Sequence, residues 1–315
     1  MLRDILRDLF GSTPPAAAKA AATPTPSADA AATTSAQPKK AALKLIPTLD
    51  PYPAATPKPR HDIAVVIPTI CRQTLLRSVR CVFAQQNVGK IQLLIGVDCD
   101  PNNRYEAHRR TLEAECPDNV SLFWLHPGYS TSTRHGGLHS NHYGGSIVSA
   151  LFFLADAEIV VYLDDDDWLD NSHCADILAT FRDNDCDWAW ARSYFANGDE
   201  GVGLCIDEFE SCGVDAGHHA DTFGGYVRPS GIALHKLNLS DILHLWSFSP
   251  FPTGDGCDRL IFDRLRKAPG ACTGKATVYY TMDPRDMGHP YRVNYLRARG
   301  TPEEAIPRQR SDSVR

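Results

Sequence analysis

Residues 159–168 read Ile159-Val160-Val161-Tyr162-Leu163-Asp164-Asp165-Asp166-Asp167-Trp168. Five apolar residues rich in β-branched side chains run straight into four aspartates and a tryptophan. The apolar run has the length and composition of a buried strand of a parallel sheet, where both faces are covered. Such a sheet opens its ligand crevice at the C-terminal ends of its strands, so the four carboxylates arrive at the place where ligands bind. Clustered like charges repel, which calls for a cation or a set of hydrogen-bond donors among them. An oxygen-only ligand set suits Mg²⁺ or Mn²⁺ better than Zn²⁺, and such ions bridge carboxylates to phosphates. Read blandly, the same residues are a solvated acidic turn leading into a helix.

Working outward, Ile63-Ala64-Val65-Val66-Ile67 is a second continuous β-branched run, ending at Pro68-Thr69. Residues 73–86 have helical spacing, with Leu75, Leu76, Val79, Val82 and Phe83 on the inner face. Ile91-Gln92-Leu93-Leu94-Ile95-Gly96-Val97 is the next strand, closed by Asp98, and residues 120–125 form a third. Residues 146–155 read as a helix that leads into the acidic-tipped strand. This alternation specifies an α/β sandwich with a largely parallel sheet. Right-handed crossovers then bring Thr69, Asp98 and Asp164 to one edge.

Composition agrees with a folded enzyme body. Of 315 residues, 43% are hydrophobic and 9% aromatic, enough for a real core. Residues 1–60 carry eight Lys/Arg against four Asp, so that of the overall charge of −6 the remaining residues hold −10. An acidic body excludes nucleic acid as the main partner. The ten cysteines form no Cys-x-x-Cys pair and suit reduced, buried thiols. Charged residues interrupt the N-terminal apolar positions and no run reaches the length of a bilayer span, so a cytoplasmic location is expected, with attachment to a membrane surface as an option.

Residues 1–11 place Leu2, Ile5, Leu6, Leu9 and Phe10 on one face of a short amphipathic helix closed by Gly11. That segment reads either as a docking peptide for a partner or membrane surface, or as an inert end. Residues 12–59, dominated by Ala, Pro, Thr and Ser, read as a disordered linker. Residues 60–295 form the catalytic body, and residues 296–315 a flexible tail.

Three blocks together carry a family resemblance. Val65-Val66-Ile67-Pro68-Thr69 with Arg72, Leu75 and Gln85, then Leu94-Ile95-Gly96-Val97-Asp98, then Tyr162-Leu163-Asp164-Asp165-Asp166-Asp167-Trp168 resemble a family 2 glycosyltransferase of the GT-A fold, over about residues 60–290. The resemblance implies a GT-A (Rossmann-like) three-layer α/β/α sandwich with a mixed, largely parallel sheet. It implies a nucleotide-sugar donor, most commonly UDP-linked, contacted by Pro68, Thr69, Arg72 and Asp98, with Asp165 on the nucleotide side. Asp164 and Asp166 would form the Asp-x-Asp pair that holds Mn²⁺ or Mg²⁺, Asp166 in direct contact, while Asp167 would stand behind them or beside the ribose. Transfer with inversion to a hydroxyl of a glycan, lipid or protein acceptor is part of the same implication.

The family places its catalytic base at the start of a helix. Here Asp258-Arg259-Leu260-Ile261-Phe262-Asp263-Arg264-Leu265 keeps that register, which makes Asp258 the first candidate and Asp255, in Thr253-Gly254-Asp255-Gly256, the second. An Arg-Asn usual before the acidic strand is absent, and Arg134, in a loop rich in Gly, Ser and His, would replace its charge. Cys257 stands where a Glu often precedes the base. His289 would return to the metal, or be a surface histidine, and Arg285 would reach the diphosphate. Trp168 is the aromatic placed near substrate; Trp188 and Trp190 would stack on a sugar if exposed and belong to the core if buried.

Two other functions share parts of this pattern. A nucleotidyltransferase needs a Gly-rich phosphate loop after the first strand, and Thr69-Ile70-Cys71-Arg72-Gln73 contains no glycine. A degenerate GT-A domain acting as a scaffold is the non-enzymatic alternative.

Overall fold

The computed structural model describes residues 61–138 and 141–308. The docking segment 1–11, the linker 12–59 and residues 309–315 lie outside the described residues. The β-branched runs become strands β1 (Ile63–Thr69), β2 (Ile91–Val97), β3 (Val120–Leu125) and β4 (Ile159–Tyr162). Further on come β5 (Trp168–Leu169), β6 (Trp188–Asn197), β7 (Val202–Ile206), β8 (Gly213–Val214), β9 (Gly225–Tyr226), β10 (Ile232–His235) and β11 (Gly270–Thr281). The main sheet has the order β3-β2-β1-β4-β10-β6-β11-β5, with β7 on β6; β5, β7 and β10 run antiparallel to their partners and the rest pair in parallel.

Register determines what meets at the edge. Val66 lies opposite Tyr162 in the parallel β1–β4 pair. Three residues further along both strands, Thr69 comes level with Asp165. Asp98 follows β2, and its amide donates to the Thr69 carbonyl at 2.9 Å. The acidic turn then carries the chain from β4 to β5, four strand positions away. In a flat sheet that is about 19 Å, near the limit of about 20 Å for six fully extended residues. The turn, with the Asp167 amide on the Asp164 carbonyl, shortens that reach. The sheet therefore curls around the aspartates.

Helices cover both faces, as a three-layer sandwich requires. Alternate residues of β1 and β2 (Ile63, Val65, Ile67, Ile91, Leu93 and Ile95) bury against α1 (Leu75–Phe83), α2 (Tyr105–Glu115) and α4 (His173–Asp183). Ala64, Val66 and Leu94 face the other way, onto α3 (Gly145–Leu154), the turn Leu243–Ser247 and α6 (Cys257–Leu265). Each fully buried Leu or Ile contributes about 1.5–3 kcal/mol to this packing. Glycine is required where α3 begins: a Cβ on Gly145 would stand 1.8 Å from the Trp246 carbonyl oxygen. Between α4 and α6 lies the one-turn helix α5 (Ala220–Phe223).

Sequence periodicity put Leu76 and Phe83 inside α1, where they pack partly buried; it missed Ser78 and Cys81, which are buried because that side meets the acidic turn. Trp188 is fully buried and stacks on Trp190, so this pair belongs to the core. The body does not end at residue 295. Helix α7 (His289–Ala298) continues it, and Leu296 and Ile306 bury with Phe195 and Met282, so these two side chains anchor a stretch expected as a tail. Among the described residues no helix is long and apolar enough to cross a membrane.

Candidate active site

Each of the four aspartates has a different surrounding. Asp165 is buried; its Oδ2 accepts the Thr69 hydroxyl at 2.5 Å and its Oδ1 an Arg72 guanidinium hydrogen at 3.0 Å. The same Arg72 nitrogen reaches Asp166 Oδ2 at 2.7 Å. Asp164 takes the Tyr162 hydroxyl on Oδ1 at 2.9 Å, and the Ser230 hydroxyl lies 3.3 Å from its Oδ2. Asp167 is 1% exposed and works inward: Ser230 donates to Oδ2 at 2.6 Å and the Thr281 amide to Oδ1 at 2.8 Å. Helix α1 holds the turn from behind, with Ser78 donating to the Asp167 carbonyl and Arg77 to that of Asp166. Asp167 thus anchors the turn from inside, while Asp164 and Asp166 are less buried.

One arginine does not neutralise this turn. Desolvation, with Asp165's charge adding and the Tyr162 hydroxyl opposing, pushes Asp164 up to about 6. Asp166 rises to about 7 through desolvation and the repulsion of Asp165 and Asp164, against the pull of Arg72. Since the Asp166 side chain keeps 33% of its surface exposed, we give the neighbouring charges more weight there than burial. Asp167 lies well above the ordinary carboxylate range, chiefly from burial. Among the described residues no three His, Cys, Asp or Glu side chains group to hold a metal on their own. Mg²⁺ and Mn²⁺ do not need that, since one or two carboxylates and substrate phosphates complete their shell. The excess negative charge on Asp164 and Asp166 fits such an ion.

Asp98 stands on the nucleotide side but its carboxylate is occupied. It is 4% exposed and accepts the Ser130 hydroxyl at 2.5 Å, the Thr131 amide at 2.7 Å and the Thr131 hydroxyl at 2.6 Å. The loop after β3 is therefore strapped across the end of β2, and a base contact by Asp98 requires the strap to yield. Arg134, in the same loop, has its Nε 2.8 Å from His142 Nε2 and lies over the Tyr143 ring. The Tyr143 hydroxyl in turn bonds Asp255 and is pushed up to about 12, by burial first and Asp255 second. Arg134 and Asp255 thus share one neighbour at the rim.

Asp258 lies in the first turn of α6 and accepts the Tyr226 hydroxyl on Oδ2 at 2.5 Å. Its chain neighbour Cys257 is pushed up to about 12, by burial first and by the charge of Asp258 second. Among the described residues the other expected side chains make no hydrogen bond to the four carboxylates. Arg285 is 77% exposed and paired with Asp283, although it feels the charge of Arg72. His289 opens α7, and no hydrogen bond or ion pair among the described residues joins it to Asp164 or Asp166. Trp168 pairs with Tyr279 in β5, stacks on that ring at 5.1 Å and carries the Arg77 guanidinium 4.0 Å from its centre, so protein groups take up the indole expected near substrate. Pro68 sits in β1 opposite Gly96.

Sequence reasoning did not find Ser230, Tyr226, Arg77 or Thr281. Ser230 is reached from Asp167 across 63 positions of chain, and Thr281 across 114. The one available signal was Arg228-Pro229-Ser230-Gly231, a turn sequence ahead of β10.

No protein-family model matches the chain, and no curated protein matches it either. Solved structures do. S. aureus TarS 1–349 aligns with a TM-score of 0.51 at 14% identity, over 75% of this chain and 63% of that one. The same protein in complex with UDP-GlcNAc aligns with a TM-score of 0.51 at 15% identity, over 71% and 60%. A mannosyltransferase from Pyrobaculum calidifontis, in complex with GDP-Man and Mn²⁺, gives 0.50 at 12% identity, over 76% and 61%. The chain thus spans about three fifths of the length of these structures. At this identity the likeness establishes the fold, a GT-A-like α/β fold with a curled, largely parallel sheet.

Proposed function

We propose that this chain is a metal-dependent glycosyltransferase of the family 2 type, which moves a sugar from a nucleoside-diphosphate donor, UDP-linked, to an acceptor hydroxyl with inversion. The observation that carries the reading is the acidic turn. Register brings the acidic turn to the sheet edge beside Thr69, and Arg72 alone leaves the charge of Asp164 and Asp166 unbalanced. The fold is one that solved glycosyltransferases share, two of them in complexes with UDP-GlcNAc or with GDP-Man and Mn²⁺.

In this reading Asp164 and Asp166 hold the divalent ion, with Asp166 in direct contact. When bound, the ion offsets charge that grows on the departing diphosphate. Thr69 and Arg72 line the nucleotide side. Asp258 accepts the proton of the acceptor hydroxyl as its oxygen attacks the anomeric carbon; the bond to the diphosphate breaks on the opposite face. Tyr226 occupies one oxygen of Asp258 and leaves the other for the acceptor.

A second reading draws on Asp98. Its carboxylate is fully spent on the loop, as in a domain that has ceased to bind nucleotide and serves as a scaffold. Calorimetric titration of UDP, with GDP as control, decides between them. The transferase reading expects UDP binding that requires Mn²⁺ and disappears in Asp166→Ala. Absence of nucleotide binding with and without metal would establish the scaffold.

A further inference from the structure

Along helix α6, on residues that follow Asp258, is a cavity of about 360 Å³, lined by Thr222, Phe223, Phe251, Arg259, Asp263 and Arg266 among others. Its size suits one sugar-sized ligand. Its charge is unevenly distributed. Asp263 is satisfied from two sides, by Arg266 at 2.8 Å and Lys267 at 2.7 Å. Arg259 is not: among the described residues no carboxylate pairs with it, and its Nη1 is buried without a hydrogen-bond partner. Its guanidinium lies over two rings, 4.7 Å from the centre of Phe223 and 4.1 Å from that of Tyr226. His219, which packs on both rings, is pressed down to about 4 by burial and by the charge of Arg259, so it adds no positive charge of its own at neutral pH. One cation is left over.

Tyr226 links this cation to Asp258: its hydroxyl binds the Asp258 carboxylate and its face supports Arg259. We propose that the cavity is an acceptor subsite that binds an anionic group, phosphate or carboxylate, carried by the same acceptor whose hydroxyl meets Asp258. Arg259 supplies a charge-assisted bond to the anion. Phe223 and Phe251 supply flat apolar surface for the sugar ring between anion and hydroxyl. The term acceptor rests on the transferase reading; binding of the anion does not.

The test is calorimetric titration of the full chain with glucose 6-phosphate and methyl glucuronide, against methyl glucoside as the neutral control. The anions are expected to bind at least about tenfold more tightly than the glucoside, with the preference lost in Arg259→Gln and increased in Asp263→Asn, which removes the competing carboxylate. Preference for the phosphate alone or the carboxylate alone identifies the group. Equal binding of all three sugars, or a preference that survives Arg259→Gln, would overturn the proposal. If Arg259→Gln does not fold, Arg259→Lys keeps the charge without the fork and is expected to retain only part of the preference; full retention in Arg259→Lys together with no gain in Asp263→Asn overturns it equally. A parallel UDP titration with Mn²⁺ separates the two ideas. Anion preference without UDP binding removes the transferase and leaves the subsite, while UDP binding without anion preference removes only the subsite.

Discussion

Replacing Arg228 by Met tests how the site is held. Arg228 lies between two residues that shape the site, Tyr226 on Asp258 and Ser230 on Asp164 and Asp167, and itself touches neither aspartate group. Its side chain is 4% exposed and bonds Asp207 at 2.8 Å and Glu210 at 2.6 Å, side chains that are 0% and 9% exposed. Removing one partner of a buried ion pair costs about 3–5 kcal/mol. The lower end applies here, because Asp207 keeps the amides of Phe209, Glu210 and Ser211, and Glu210 keeps Arg292 at 3.0 Å. The guanidinium also lies 3.7 Å from the centre of the Tyr280 ring, a contact of about 1 kcal/mol that a Met thioether partly replaces. The expected loss is therefore about 3 kcal/mol at pH 7, measured by urea unfolding followed through tryptophan fluorescence.

The pH dependence of that loss has a definite sign. Burial alone would raise Asp207 and Glu210, but Arg228, together with the backbone amides on Asp207 and with Arg292 on Glu210, holds both below their ordinary values. A carboxylate lowered in the folded state adds stability above its unfolded value, and that stability disappears as pH falls through the folded one. Without Arg228 the two groups lose that contribution. The gap between wild type and variant should therefore hold from pH 7 down to about 4.5 and narrow below it, as pH falls through the lowered values of Glu210 and Asp207. The double variant Arg228→Met, Asp207→Asn should recover part of the loss, since it removes the charge left unpaired. Metal-dependent UDP binding should also weaken in Arg228→Met, although Arg228 contacts no ligand. A loss below about 1 kcal/mol, or a gap that does not narrow below about pH 4, would refute the reasoning.

Four other outcomes follow from the geometry. Asp258→Asn should lower sugar transfer about 10²–10⁴-fold while UDP titration stays as in wild type; near-normal turnover would move the base to Asp255. Ser230→Ala removes a donor from buried Asp167 and should cost about 2 kcal/mol in urea unfolding, with weaker Mn²⁺ binding by calorimetry. Mn²⁺ affinity, titrated between pH 8 and 5.5, should fall as pH drops through about 7 and about 6, because protons on Asp166 and Asp164 compete with the ion. Gly145→Ala places a methyl 1.8 Å from the Trp246 carbonyl and should destabilise by about 2–3 kcal/mol; a neutral result would mean that α3 can shift freely.

What the sequence disclosed depended on how far apart in the chain the interacting residues lie. The β-branched runs 63–67 and 91–97 specify buried strands because a parallel sheet needs apolar residues on both faces, and the carboxylates after residue 163 show where the crevice opens. The strap on Asp98 and the anchor on Asp167 were hidden for the opposite reason. Ser130, Ser230 and Thr281 are ordinary polar residues whose roles appear only when register and curl bring them in. Trp168 shows the same limit, because an aromatic after an acidic turn has the same sequence signature whether it faces a sugar or closes a sheet. Asp255 and Asp258 illustrate the limit best. Both follow glycine-rich chain, and each is bonded by a tyrosine hydroxyl, Tyr143 for Asp255 and Tyr226 for Asp258. The difference is what stands behind them. Tyr143 belongs to the loop that carries Arg134, whereas Tyr226 is buried in the core with Ile261 and Phe262 of α6. In the transferase reading the base must keep a fixed position relative to the reacting carbon, so Asp258, held by a buried tyrosine on a packed helix, is the candidate to test first.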